Sequence, residues 1–237
     1  MTNNLELFRV PEKIYLKKGS LPVALRELKE VYNRKNVLIL VSDLLHHEKA
    51  VQQITDRLHE MQINYAVSEW HDGRAFAPDC VLVYGGDADF ASASKIVAGL
   101  AEKPYYITVP AYLGTYAHVM PLPDERFPDM TIVDIDMMQW NSNIVKSALT
   151  AALSALASEK ATEYSDSMAV KAIQILLNAP ECSAEQLANA GTLAGCALSN
   201  AHAVKQQFSG HEAICAEKLG MKTELLLEKL KAVAFNF

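Results

Sequence analysis

The chain has 237 residues, of which 50% are apolar and 21% charged, a composition that reads as an ordinary globular protein with ample core. Its formal net charge of −6 argues against a general nucleic-acid binder, which would need a basic face. No apolar run approaches the ~18 residues needed to span a bilayer, and Met1–Leu7 is too short and polar for a signal peptide. The four cysteines, Cys80, Cys182, Cys196 and Cys215, form no CxxC pair. They are expected to be reduced thiols in a cytoplasmic protein.

In chain order, Leu5–Leu16 alternates apolar and polar residues imperfectly around Pro11 and predicts edge-strand pieces. Ser20–Arg34 has Leu21, Ala24, Leu25, Leu28 and Val31 at helical spacing, with Ser20 as the expected N-cap and Pro22 in the first turn. Asn36–Val41 is an apolar run of strand length, the pattern of a strand buried on both faces. An amphipathic helix follows over Asp43–Met61, then strands at Ile63–Ser68 and Asp79–Tyr84, the latter running into Gly85 and Gly86. Ala88–Leu100 predicts a helix, and Tyr105–Val109 and Thr131–Val133 predict strands. This alternation is that of a parallel, Rossmann-like α/β sheet.

From about Met137 the texture changes to Ala, Leu, Ser and Lys, and strand-like runs stop. Helices are expected at Asn143–Ser158, Tyr164–Leu177, Ala184–Gln207 and Thr223–Phe235. Asn178-Ala179-Pro180 should break the chain between two of them, and Ser183 with Gln186 fits a capping box. The expected organisation is an α/β nucleotide-binding-type domain over 1–136, followed by an all-helical domain over 137–237.

Three segments occur in a recognisable order. Residues 7–22 read LFRVPEKIYLKKGSLP, residues 127–134 read FPDMTIVD, and residues 194–201 read AGCALSNA. Together they resemble the iron-containing (type III) alcohol dehydrogenase superfamily, in particular a shortened and degenerate alcohol dehydrogenase half of the bifunctional aldehyde/alcohol dehydrogenases. The resemblance implies an NAD(P) site at a glycine turn between strand and helix and a divalent metal in the helical domain.

The motifs of that family are altered here. Its GGGSxxD phosphate turn corresponds to Gly85-Gly86-Asp87-Ala88-Asp89, where two carboxylates at a helix N-terminus would repel a pyrophosphate. Its TTxGTGSE loop corresponds to residues 111–118, where Gly114 and Thr115 match and Tyr116 replaces a glycine. Asp43, at the end of the first buried strand, matches an acidic residue near the cofactor ribose and is equally read as a helix N-cap. The resemblance therefore assigns Asp43, Gly85, Gly86, Gly114 and Thr115 as the residues toward a cofactor. It places Lys146, Thr150 and Gln207 where metal ligands belong, and none of the three suits Fe or Zn.

His202 and His211, nine residues apart, would lie on opposite faces of a continuous helix. No Ser/His/Asp or Cys/His arrangement is supported by spacing. The expectation is a binding or association module without metal-dependent catalysis and without Fe or Zn. The alternative is an NAD(P)-dependent oxidoreductase acting on an alcohol or aldehyde, with Lys146 as the only candidate electrophile. Weak NAD(P) binding and a small-molecule ligand stay open on either reading. A homodimer paired through the N-terminal segment is expected, and no nucleic-acid or membrane partner.

Overall fold

The computed structural model describes residues 8–69, 77–205 and 210–235. Its elements in chain order are β1 (Lys13–Leu16), α1 (Leu21–Glu30), β2 (Asn36–Val41), α2 (Leu44–Glu60), β3 (Asn64–Ser68), β4 (Cys80–Gly85), α3 (Asp87–Ala98), β5 (Tyr105–Pro110) and β6 (Met130–Val133). The helices α4 (Ser142–Leu156), α5 (Glu163–Leu176), α6 (Ala184–Asn200), α7 (Glu212–Lys218) and α8 (Thr223–Phe235) follow.

The chain divides into two compact units. One comprises Pro11–Tyr112 and Ala117–Gln139 and carries the sheet. The other holds the described residues from Trp140 onward, together with Leu113–Tyr116 and residues 8–10. A single boundary near residue 137 separates most of these residues. The three residues before Pro11 and the tetrapeptide after Tyr112 fall with the helices instead.

In the sheet unit, six strands pair in the order β1-β6-β5-β4-β2-β3, all parallel. Every residue of β4 and β5 is buried, as are Val37–Val41 of β2. That is why these strands read as unbroken apolar runs rather than alternating ones. Alternate residues serve opposite faces. Val37, Ile39, Val41, Leu82 and Tyr84 pack with α1 and α2, whereas Leu38, Leu40, Val81 and Val83 pack with Phe90, Ala93 and Val97 of α3. Full burial of one such aliphatic side chain contributes about 1.5–3 kcal/mol.

The start of α1 differs from the sequence expectation. The Ser20 hydroxyl makes no capping bond. Instead the buried carboxylate of Asp134, from the end of β6, accepts the N–H groups of Gly19 and Leu21, each at 2.8 Å. A side chain distant in sequence satisfies the orphan donors that a local cap would otherwise take.

In the helical unit, α4, α5 and α6 pack on one another through Ala-rich faces. Ser183 and Gln186 form the expected capping box, and a 3-10 turn at Ala179–Glu181 supplies the expected break. The expected helix over Ala184–Gln207 stops at Asn200, with Ala201 as C-cap and His202 at φ +46. The short helix α7 follows, which the sequence pattern did not indicate. Asn200 secures the N-terminal segment to α6: its side chain accepts the Arg9 N–H at 2.8 Å and donates to the Arg9 carbonyl at 2.8 Å. Among the described residues, no helix is long and apolar enough to cross a membrane.

Candidate functional site

Adjacent strands β2 and β4 send their following helices to opposite faces of the sheet. Such a topological switch point leaves a crevice beyond the C-terminal strand ends, where open parallel sheets bind ligands. Asp43 and Gly85-Gly86 lie at those two ends. Sequence order alone does not bring them together; the β2–β4 pairing does.

Asp43 is the N-cap of α2, its Oδ1 accepting the His46 N–H at 2.9 Å. Gly85 ends β4, and its carbonyl accepts the Ala111 N–H at 2.8 Å. Gly86 caps α3. The Gly86 N–H, however, is already taken: it donates to Oδ2 of Asp89 at 2.7 Å. A methyl group on Gly85 would meet the Asp89 side chain at 2.5 Å, and one on Gly86 would lie 3.1 Å from the Tyr112 ring. The turn therefore has its own carboxylate where a helix N-terminus would hold an anion. Asp87 has a different task, with Oδ1 accepting the Ala117 N–H at 2.9 Å.

Around this turn the sequence reading missed a ring cluster. His47 lies 5.1 Å from the Tyr84 ring and 6.0 Å from the Tyr112 ring, both edge-on. The Tyr84 hydroxyl donates to the Met137 carbonyl at 3.0 Å. Burial lowers the His47 pKa, and His46 lowers it further, against Asp89 and Asp43, which act to raise it. Burial pushes the Tyr112 phenol up, with Asp89 and Asp43 adding to the shift. The available signal was periodicity, since His47 falls on the same α2 face as Val51, Ile54 and Leu58.

Gly114 and Thr115 belong to the helical unit. Gly114 has φ +85, a conformation that favours glycine, and Thr115 is buried. Gly191 of α6 supports them: a methyl group there would meet the Thr115 carbonyl oxygen at 2.3 Å. His202 and His211 line one concavity of this unit with Lys160, because the helix between them ends early.

The donors in the helical unit do not suit an iron or zinc ion. Across its 15 residues, α4 has no carboxylate, imidazole or thiol. Lys146 and Thr150 sit there, the Thr150 hydroxyl donating to the Lys146 carbonyl at 3.0 Å. Glu185 and Cys196 are the sole candidate donors on α6, and burial pushes the Cys196 thiol up to about 12. The buried polar side chains described in this unit are Thr115, Ser165, Thr192 and Asn200, none of them a carboxylate or imidazole. Gln207 lies outside the described residues. Among the described residues, no group of three or more His, Cys, Asp and Glu could hold a metal ion.

No family model matches the chain. It is 23% identical to an aldehyde-alcohol dehydrogenase of Clostridium acetobutylicum over 98% of this chain and 35% of that protein. It is 26% identical to the 1-propanol dehydrogenase PduQ of Citrobacter freundii over 87% of this chain and 68% of that one. The chain thus spans about a third of the first relative and about two thirds of the second. Among solved structures, an iron-containing alcohol dehydrogenase from Thermococcus thioreducens superposes with a TM-score of 0.75 at 18% identity, over 96% of this chain and 85% of that one. A 1,3-propanediol oxidoreductase superposes with a TM-score of 0.76 at 17% identity, over 97% and 85%. The chain is thus similar in sequence to alcohol dehydrogenases along most of its length, and it shares the fold of iron-containing alcohol dehydrogenases.

Proposed function

We propose that the chain is a non-catalytic relative, a binding or association module without metal-dependent alcohol oxidation. The observation that carries this reading is the absence of carboxylate, imidazole and thiol donors along α4. The self-capped Gly86 turn supports it too, because Asp89 already takes the amide a pyrophosphate would need. Cytoplasmic placement belongs to the same proposal, and the four free thiols suit it. So does a homodimer, for which β1 offers a sheet edge.

A second reading is an NAD(P)-dependent oxidoreductase acting on an alcohol or aldehyde. The switch-point crevice between β2 and β4, with Asp43 at one rim and Gly85-Gly86 at the other, favours it.

Calorimetric titration of the purified protein with NAD(H), NADP(H), Fe²⁺ and Zn²⁺ separates the two. The first reading expects no stoichiometric metal and dinucleotide binding no tighter than about 100 µM. One tightly held metal per chain, or tighter dinucleotide binding with turnover of an alcohol, would overturn it in favour of the second.

A further inference from the structure

A glycine turn at a strand end binds phosphate because the missing side chain lets the ligand come close to the backbone. At Gly86 that space is filled from within the protein. A methyl group on Gly86 would lie 3.1 and 3.2 Å from two carbons of the Tyr112 ring. The ring therefore rests on the side of Gly86 that the missing side chain leaves open.

The same ring reaches across the crevice beyond β2 and β4. Toward α2 it lies 6.0 Å from the His47 ring, edge-on. Burial pushes its phenol up, and the carboxylates of Asp89, on α3, and Asp43, at the start of α2, act on it in the same direction. Tyr112 is half-buried and packs against the core on the α1 and α2 side of the sheet. All of these residues belong to the sheet unit.

The position of the ring is set by the backbone around it. The Ala111 N–H donates to the Gly85 carbonyl at 2.8 Å, and the Ala111 carbonyl accepts the Gln139 N–H at 2.8 Å. Tyr112 itself bridges to Gln139. His47 backs the ring and is backed in turn by Tyr84, 5.1 Å away. Residues 111 and 112 are thus tied both to β4 and to the segment after β6, and the ring is a fixed edge of the core rather than a swinging lid.

We propose that Tyr112 is a built-in plug, an autoinhibitory contact whose ring excludes a dinucleotide from the Gly86 turn by its bulk. This exclusion is steric and adds to the charge of Asp87 and Asp89. It rests on the reading of the chain as a non-catalytic relative and supplies a physical cause for it. The TTxGTGSE pattern has a threonine where this chain has Tyr112, a far smaller side chain.

NADH is the probe, titrated calorimetrically against the chain with Asp87→Asn. That change removes one negative charge from the turn and keeps an oxygen for the Ala117 N–H. Adding Tyr112→Thr should tighten NADH binding by about tenfold or more. Adding Tyr112→Phe, which keeps the ring, should leave the affinity within about twofold. If Tyr112→Thr loses the parent's circular dichroism, Tyr112→Leu, apolar and non-planar, carries the same expectation. A folded variant without the ring that binds NADH no more tightly than Asp87→Asn alone would overturn the plug, as would an equal gain in Tyr112→Phe. Binding of NADH by the unaltered chain tighter than about 100 µM would sink the non-catalytic reading and the plug together, whereas no gain over a weakly binding parent sinks the plug alone.

Discussion

Asp89 and Gly86 close the first turn of α3 on itself, the carboxylate Oδ2 accepting the Gly86 N–H at 2.7 Å. The bond joins the third residue of the helix to its cap, so one side chain neutralises both an orphan donor and the positive end of the helix dipole. Asp89→Ala should cost roughly 1 kcal/mol of stability, the usual scale of a lost cap. Urea unfolding monitored by circular dichroism measures it. An unchanged midpoint would mean that the bond contributes nothing.

Asp87 separates charge from structure. Its carboxylate adds negative charge at the same turn, yet it also holds the Ala117 N–H. Asp87→Asn keeps a side-chain oxygen for that bond and removes the charge. It should bind NAD more tightly than the parent chain in calorimetry. Asp87→Gly loses the bond as well and should unfold at a lower urea concentration, by about 1 kcal/mol.

Gly191 allows close backbone approach. A methyl group there would meet the carbonyl oxygen of Thr115 at 2.3 Å and the carbonyl carbon of Gly114 at 2.6 Å. These are main-chain atoms, which do not swing away. Gly191→Ala should therefore destabilise by roughly 2–3 kcal/mol, toward the upper end of overpacking costs. A drop in melting temperature of only one or two degrees would show that α6 can slide.

His47 gives stability a pH dependence. Its pKa is lowered in the folded protein, so between that value and about 6.5 the unfolded chain binds the extra proton. Stability is present above about 6.5 and is lost as the pH falls through that value toward the folded pKa. The urea midpoint should fall between about pH 7.5 and pH 5, and fall less in His47→Gln. Equal losses in the two proteins would assign the effect to other groups.

The exposed edge of β1 predicts association. β1 pairs with β6 on one side, and in the sheet order it is terminal. Residues 5–7 of the expected pairing segment lie outside the described residues. Light scattering at micromolar concentration should give twice the 26.1 kDa chain mass, reduced on deleting residues 1–10. A mass of one chain, unchanged by the deletion, excludes the dimer.

Much of the fold was legible because its signals are local. The unbroken apolar runs at Asn36–Val41 and Cys80–Gly85 can be read without knowing their neighbours, as can the Ser183 capping box. The end of α6 was not legible, because residues after Asn200 keep an apolar texture while the backbone turns over at His202. The α1 cap could not be read either, since it comes from Asp134 across the sheet. At the site, the glycines were visible in sequence but the answering side chains were not. Asp89 reaches back to Gly86, and Tyr112 covers it from a different loop. Only the pairing of β2 with β4 brings Asp43 near them.

The tetrapeptide Leu113–Tyr116 leaves the sheet unit for the helices and returns at Ala117. Gly191 and Val145 receive it there. The consequence concerns dissection: a fragment beginning near residue 140 carries the helices without the tetrapeptide that Gly191 and Val145 pack against.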